Sequence, residues 1–145
     1  MAETLGSLCD KLTIVKLKEY HSDDAARRQS LAAQATQLQL EIDDYLAAVA
    51  SGHIAVTDLE FPANKVYREG IGQLRDCAGQ LGEAIGQLAT INCELWHEQE
   101  KVYDFEKVPV AEKDAVIKRL AILNLERNRC IDGINALLSA EVRKA

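Results

Sequence analysis

At 145 residues, 48% hydrophobic and 28% charged, the chain has the size and balance of one globular domain able to bury its own core. A net charge of −6 with no offsetting Lys/Arg block excludes a nucleic-acid backbone or an anionic membrane as the principal partner, since either needs a basic face. Two prolines, 5% aromatics and abundant Ala, Leu, Glu and Gln favour helix over sheet, and no apolar run approaches the roughly 20 residues of a membrane span.

The opening MAETLGSLCDKL has an acid at position 3 and no unbroken apolar core, so it does not read as an export signal. From Thr4 to His21, Leu5, Leu8, Leu12 and Val15 form a helical stripe. Ser22-Asp23-Asp24 then offers N-cap chemistry for a second helix, whose stripe is Leu31, Ala35, Leu38, Ile42, Tyr45 and Val49. That helix stops at Ser51-Gly52. Residues 51–63 form a linker closed by Pro62, with a short apolar stretch expected to pack on the body.

Three heptads then open IGQL (71–74), AGQL (78–81) and IGQL (85–88), and a fourth continues as NCEL (92–95). Read as one helix of about 40 residues, they place Ile71, Leu74, Ala78, Leu81, Ile85, Leu88, Asn92 and Leu95 on one stripe. Gly72, Gly79 and Gly86 follow each first position. Each Gly costs a helix interior about 1 kcal/mol, so the row predicts a seam where another backbone approaches closely. After a turn near Pro109, a fourth helix is expected from about Ala111 to Val142, with Ile117, Leu120, Asn124, Arg127, Ile131, Ile134 and Leu138 inward.

The two halves look related. Tyr20-His21 matches Trp96-His97, with Leu12/Leu88 and Val15/Ile91 in step behind them, and LQLEIDDYL (38–46) matches LNLERNRCI (123–131). The expectation is one all-α domain over residues 1–145: an antiparallel four-helix bundle of two helical hairpins (about 4–50 and 64–143) with long third and fourth helices.

The run LGSLCDKLTIVKLK, then IN-x-x-LWH-x-x-E, then LN-x-x-RN-x-x-ID-x-IN, is similar to uncharacterised bacterial all-helical families found beside glycosyltransferase genes of surface-polysaccharide assembly. The likeness covers about a third of the chain, at Leu5–Lys18, Ile91–Glu100 and Leu123–Asn135. It implies a helical fold and that setting, and carries over no reaction.

Cys9, Cys77, Cys93 and Cys130 are far apart with no C-x-x-C pair, which rejects a zinc ribbon or thioredoxin-like motif. They read as reduced thiols filling space in a cytoplasmic protein. Glu94-x-x-His97, with Glu41 and Glu126 at equivalent places, resembles half of a di-metal bundle site. However, Lys18 stands where a ligand should be on the first helix, and the heptad frame points Glu94 and His97 outward. No metal and no cofactor are predicted. No Ser elbow, Cys–His or Ser–His spacing, or phosphate-cradling loop supports catalysis.

Helical rise brings Asn92 and Asn124 to one level across the second hairpin, with Arg127 a turn along and Asp10 within reach as its counter-ion. Those four form a polar layer that fixes register or, alternatively, lines a pocket. Outward of it, Trp96, His97 and Glu98 with Tyr20 and His21 form a candidate partner surface. The sequence thus predicts a non-enzymatic helical interaction protein that forms a homodimer or docks a protein partner. A small-molecule binder or enzyme using the polar pocket, and a metal-binding bundle, stay open as alternatives.

Overall fold

Helix starts are set by side chains that satisfy the first free amides. Thr4 caps α1 (Leu5–His21) in a reciprocal capping box with Ser7, and Asp24 caps α2 (Ala25–Ala50) by accepting from the Ala26 and Arg27 amides. The Ser22-Asp23-Asp24 run therefore acts as expected. α3 spans Leu81–Tyr103, and α4, Val110–Lys144, opens directly after Pro109, whose ring fixes φ and brings no N–H to satisfy. The computed structural model describes residues 3–61, 74–77 and 79–144.

These helices form an all-α, antiparallel four-helix bundle of two hairpins, with no strand among the described residues. α1 pairs with α2 and α3 with α4, and α1 is also the element that joins the hairpins by packing on both α3 and α4. α2 is peripheral: of its 26 residues only Leu31, Ala35 and Val49 are buried. Leu88, Leu123 and Ile134 are fully buried at the centre, with Leu5, Ala84, Ile91, Cys130 and Leu138 around them. Each such Leu or Ile contributes about 1.5–3 kcal/mol by leaving water. After α2 the chain folds back through a short 3-10 turn at Val56–Asp58 and seats Leu59 in the core, so the linker packs on the body as expected. None of the described helices is long and apolar enough to cross a membrane.

Two features differ from the sequence reading. The third helix starts at Leu81, not upstream: residues 74–77 are non-helical and Gly79 has φ +98°, in the left-handed region glycine favours. The glycine-rich repeat has weak helical propensity, and residues 75–77 instead make tertiary bonds to α3 and α4, which outweigh it. The glycine seam does not form as a helix face. Gly72 lies outside the described residues, Gly79 precedes the helix, and a Cβ on Gly86 would meet nothing within 4 Å.

The inward face of α4 is also rotated. Val116, Leu123, Glu126, Cys130, Ile134 and Leu138 are buried, whereas Ile117 is 55% exposed and Asn124 is exposed. α4 packs against α3 on one flank and α1 on the other, so one narrow stripe could not describe its contact face.

The close-approach glycine is Gly6. A Cβ there would collide with the Ile131 carbonyl oxygen and come 2.9 Å from Asn135 Oδ1, so its absence lets α1 lie tight on α4.

Candidate functional site

Three polar constellations sit on this frame. The first is the layer expected from the heptads. Asp10 on α1 is buried and accepts from Asn92 Nδ2 on α3 (2.9 Å) and from Arg127 Nε and Nη2 on α4 (2.8 and 2.5 Å). Three helices are thus pinned at one level by a bidentate guanidinium–carboxylate pair and an amide. The Asp10 bonds hold the Arg127 guanidinium still more firmly protonated than usual. Asn124 is not part of it: the rotation of α4 turns that residue to solvent.

The second constellation was not anticipated. Arg75, in the segment before α3, donates its backbone amide and Nε to Glu126 Oε2 (2.7 and 2.8 Å) and Nη2 to Glu126 Oε1 (3.0 Å). The same guanidinium donates to both Glu94 oxygens (2.6 and 3.3 Å). Arg119 extends the network to Glu94 (3.5 Å) and Glu98 (3.7 Å). Burial alone would raise the Glu126 carboxyl, but the Arg75 hydrogen bonds and the nearby Arg75 and Arg119 charges outweigh it and hold it below the usual carboxylate range.

Glu94 and Glu126 therefore do meet across α3 and α4, and the cation between them is Arg75. The remaining parts of the di-metal pattern lie elsewhere: His97 and Lys18 are exposed, and Glu41 is an exposed α2 residue bonded by Gln37. Among the described residues no group of three His, Cys, Asp or Glu is placed to hold a metal ion. Nothing in the heptad pattern marked Arg75, because the repeat assigned it to a helix interior.

The third constellation joins the two repeat halves. His21 stacks on Trp96 at 4.8 Å and meets His97 edge-on at 5.9 Å, while Tyr20 packs edge-on to His21 at 5.1 Å. His21 Nδ1 donates to the Leu17 carbonyl (2.8 Å), which fixes the ring at the end of α1. An open groove of about 400 Å³ runs beside the stack, lined by Lys18, His21, Arg27 and Trp96 with Asp23 and Asp24. The Tyr20-His21 and Trp96-His97 pairs, matched by sequence, thus come together in space. Tyr20 is 83% exposed and His97 is exposed, but Trp96 is half-buried under His21. Glu98, placed by sequence on the same outer surface, is instead 7% exposed and paired with Lys101 and Arg119, because the contact face of α3 is wide enough to include it.

No protein family, curated protein or solved structure matches the chain.

Proposed function

We propose that the chain is a non-enzymatic helical interaction protein that self-associates through the free end of its second hairpin. The observation that carries this reading is the distribution of uncovered apolar side chains. α1 ends at His21, which stacks on Trp96, and α3 runs on to Tyr103, so at about 1.5 Å per residue the α3–α4 turn projects about 10 Å beyond the end of α1. Around that turn Tyr103 is 78%, Val110 85% and Ile117 55% exposed. Leu40, Leu46 and Phe61, on or after α2, are exposed as well, but less so than Tyr103 and Val110. The most exposed apolar groups gathered around one turn are what a contact surface provides. Tyr20, at the end of α1, lies on the aromatic cluster toward the same end and extends the candidate surface.

The polar layer supports the same reading by being self-sufficient. Both Asp10 oxygens are occupied by Asn92 and Arg127, so these three residues bond one another and hold α1, α3 and α4 in register. Surface-polysaccharide assembly enters this proposal as its setting, on the strength of the sequence resemblance alone.

Light scattering of the purified full chain at tens of micromolar, with Tyr103→Glu and Ile117→Glu alongside, tests it. The expected result is a wild-type dimer that both charge substitutions drive to monomer without loss of helicity. A wild-type monomer, or variants that assemble normally, overturns self-association through this end.

A further inference from the structure

The segment 74–77 runs along the second hairpin with each polar side chain engaged: Arg75 on Glu126 and Glu94, Asp76 on Arg129, and Cys77 on the Ala84 carbonyl at 3.3 Å. Cys77 also faces the Cys130 thiol of α4. The two cysteines are brought together by the backbone as well. A Cβ on Gly133, one turn beyond Cys130, would lie 3.2 Å from the Cys77 carbonyl oxygen and 3.4 Å from its Cβ. The missing side chain at Gly133 is what lets the segment seat against α4. Ion pairs at positions 75 and 76 therefore orient a dithiol whose members are remote in sequence. Cys77 is half-buried and Cys130 is 1% exposed, so the pair has an accessible member and a shielded one.

We propose that Cys77 and Cys130 form a reversible disulfide that locks the 74–77 segment onto α4, with a low-molecular-weight disulfide such as oxidised glutathione as the electron acceptor. The Cys77 thiolate attacks one sulfur of the small disulfide; that S–S bond breaks, and the departing thiolate takes up a proton. The Cys130 thiolate then attacks the Cys77 sulfur of the mixed disulfide. The protein S–S bond forms, the second small thiol leaves with the remaining proton, and two electrons have passed from the protein to the acceptor. Burial pushes both thiols upward, so little thiolate is present at neutral pH and the exchange is slow. The pair thus follows the sustained redox poise of its surroundings, not brief oxidant bursts.

The full-length protein is equilibrated in glutathione buffers of stepped redox ratio, quenched in acid, alkylated and mapped by mass spectrometry, with tryptic cleavage after Arg75 followed in parallel. The expected product has lost two hydrogens, carries a Cys77–Cys130 link, and leaves Cys9 and Cys93 free for alkylation. Oxidation should slow cleavage after Arg75 several-fold, and neither Cys77→Ser nor Cys130→Ser should show that redox dependence. Cys130→Ser should instead hold glutathione on Cys77. Glutathione persisting on wild-type Cys77, a link that forms only in denaturant, or unchanged cleavage after Arg75 overturns the proposal.

Discussion

The Gly6 amide donates to Asn135 Oδ1 at 2.8 Å, joining the first turn of α1 to the last third of α4. The same glycine has no room for a methyl group against the Ile131 carbonyl, a rigid backbone atom. Gly6→Ala should therefore push α1 off α4 and cost about 2 kcal/mol or more. Gly86, on an open face of α3, should respond oppositely: Gly86→Ala should stabilise by about 0.5–1 kcal/mol through helix propensity. Urea melts of both variants check the contrast, and a neutral Gly6→Ala would remove the close approach.

Gly79 distinguishes a helix that runs through the whole heptad repeat from one that begins at Leu81. At φ +98° an Ala is strained, and its Cβ would also press on the Glu83 side chain. Gly79→Ala should cost about 1–2 kcal/mol. Were the position helical, the same change would stabilise by about 1 kcal/mol. The sign of the shift in the urea midpoint decides between them.

The Asp10–Arg127 pair is expected to respond unequally to truncation. The Asp10 side chain is 8% exposed and that of Arg127 31%. Arg127→Ala leaves a buried carboxylate with only the Asn92 amide, a loss of about 2–3 kcal/mol. Asp10→Ala leaves a guanidinium that water already reaches, and should cost about 1–2 kcal/mol. The double variant Asp10→Leu/Arg127→Met should lose less than the two single changes together, because no orphan charge remains. Two single changes each below about 0.5 kcal/mol would mean that the pair contributes no more than a surface ion pair.

What could be read from sequence divides along a physical line. Helix starts at Thr4 and Asp24 were legible because caps act within three residues. Asp10, Asn92 and Arg127 were legible because heptad phase and helical rise together fix level and face. Asn124 was misplaced by the same logic, since packing against both α1 and α3 rotates the contact face of α4 onto Leu123, Glu126 and Cys130 and turns Asn124 to solvent. The Arg75–Glu126 bonds and the Cys77–Cys130 contact depend on where a non-helical segment comes to rest, and no local periodicity encodes that. A glycine in the first turn of α1, right after its cap, was the one available sign of the α1–α4 approach.

Glu126 is 4% exposed at its side chain, and its carboxyl is held below the usual range by Arg75. A carboxyl lowered on folding stabilises the native state above its unfolded value of about 4.3, and that contribution disappears as pH falls through the folded value. The wild type should thus exceed Glu126→Gln in stability at neutral pH. The gap should begin to close below about pH 4.3, because the Gln amide keeps the shape and an acceptor oxygen but cannot titrate. Denaturant melts followed by circular dichroism from pH 7 downward read the difference directly. Arg75→Gln should behave differently: the backbone amide bond and Arg119 remain, but without the guanidinium the Glu126 carboxyl is held down less than in the wild type, moving the acid limb of the stability profile to higher pH. Parallel acid limbs for the wild type and both variants would show that the segment before α3 contributes no charge pairing to the fold. A closing gap for Glu126→Gln together with an upward shift for Arg75→Gln would assign that pairing to these two residues.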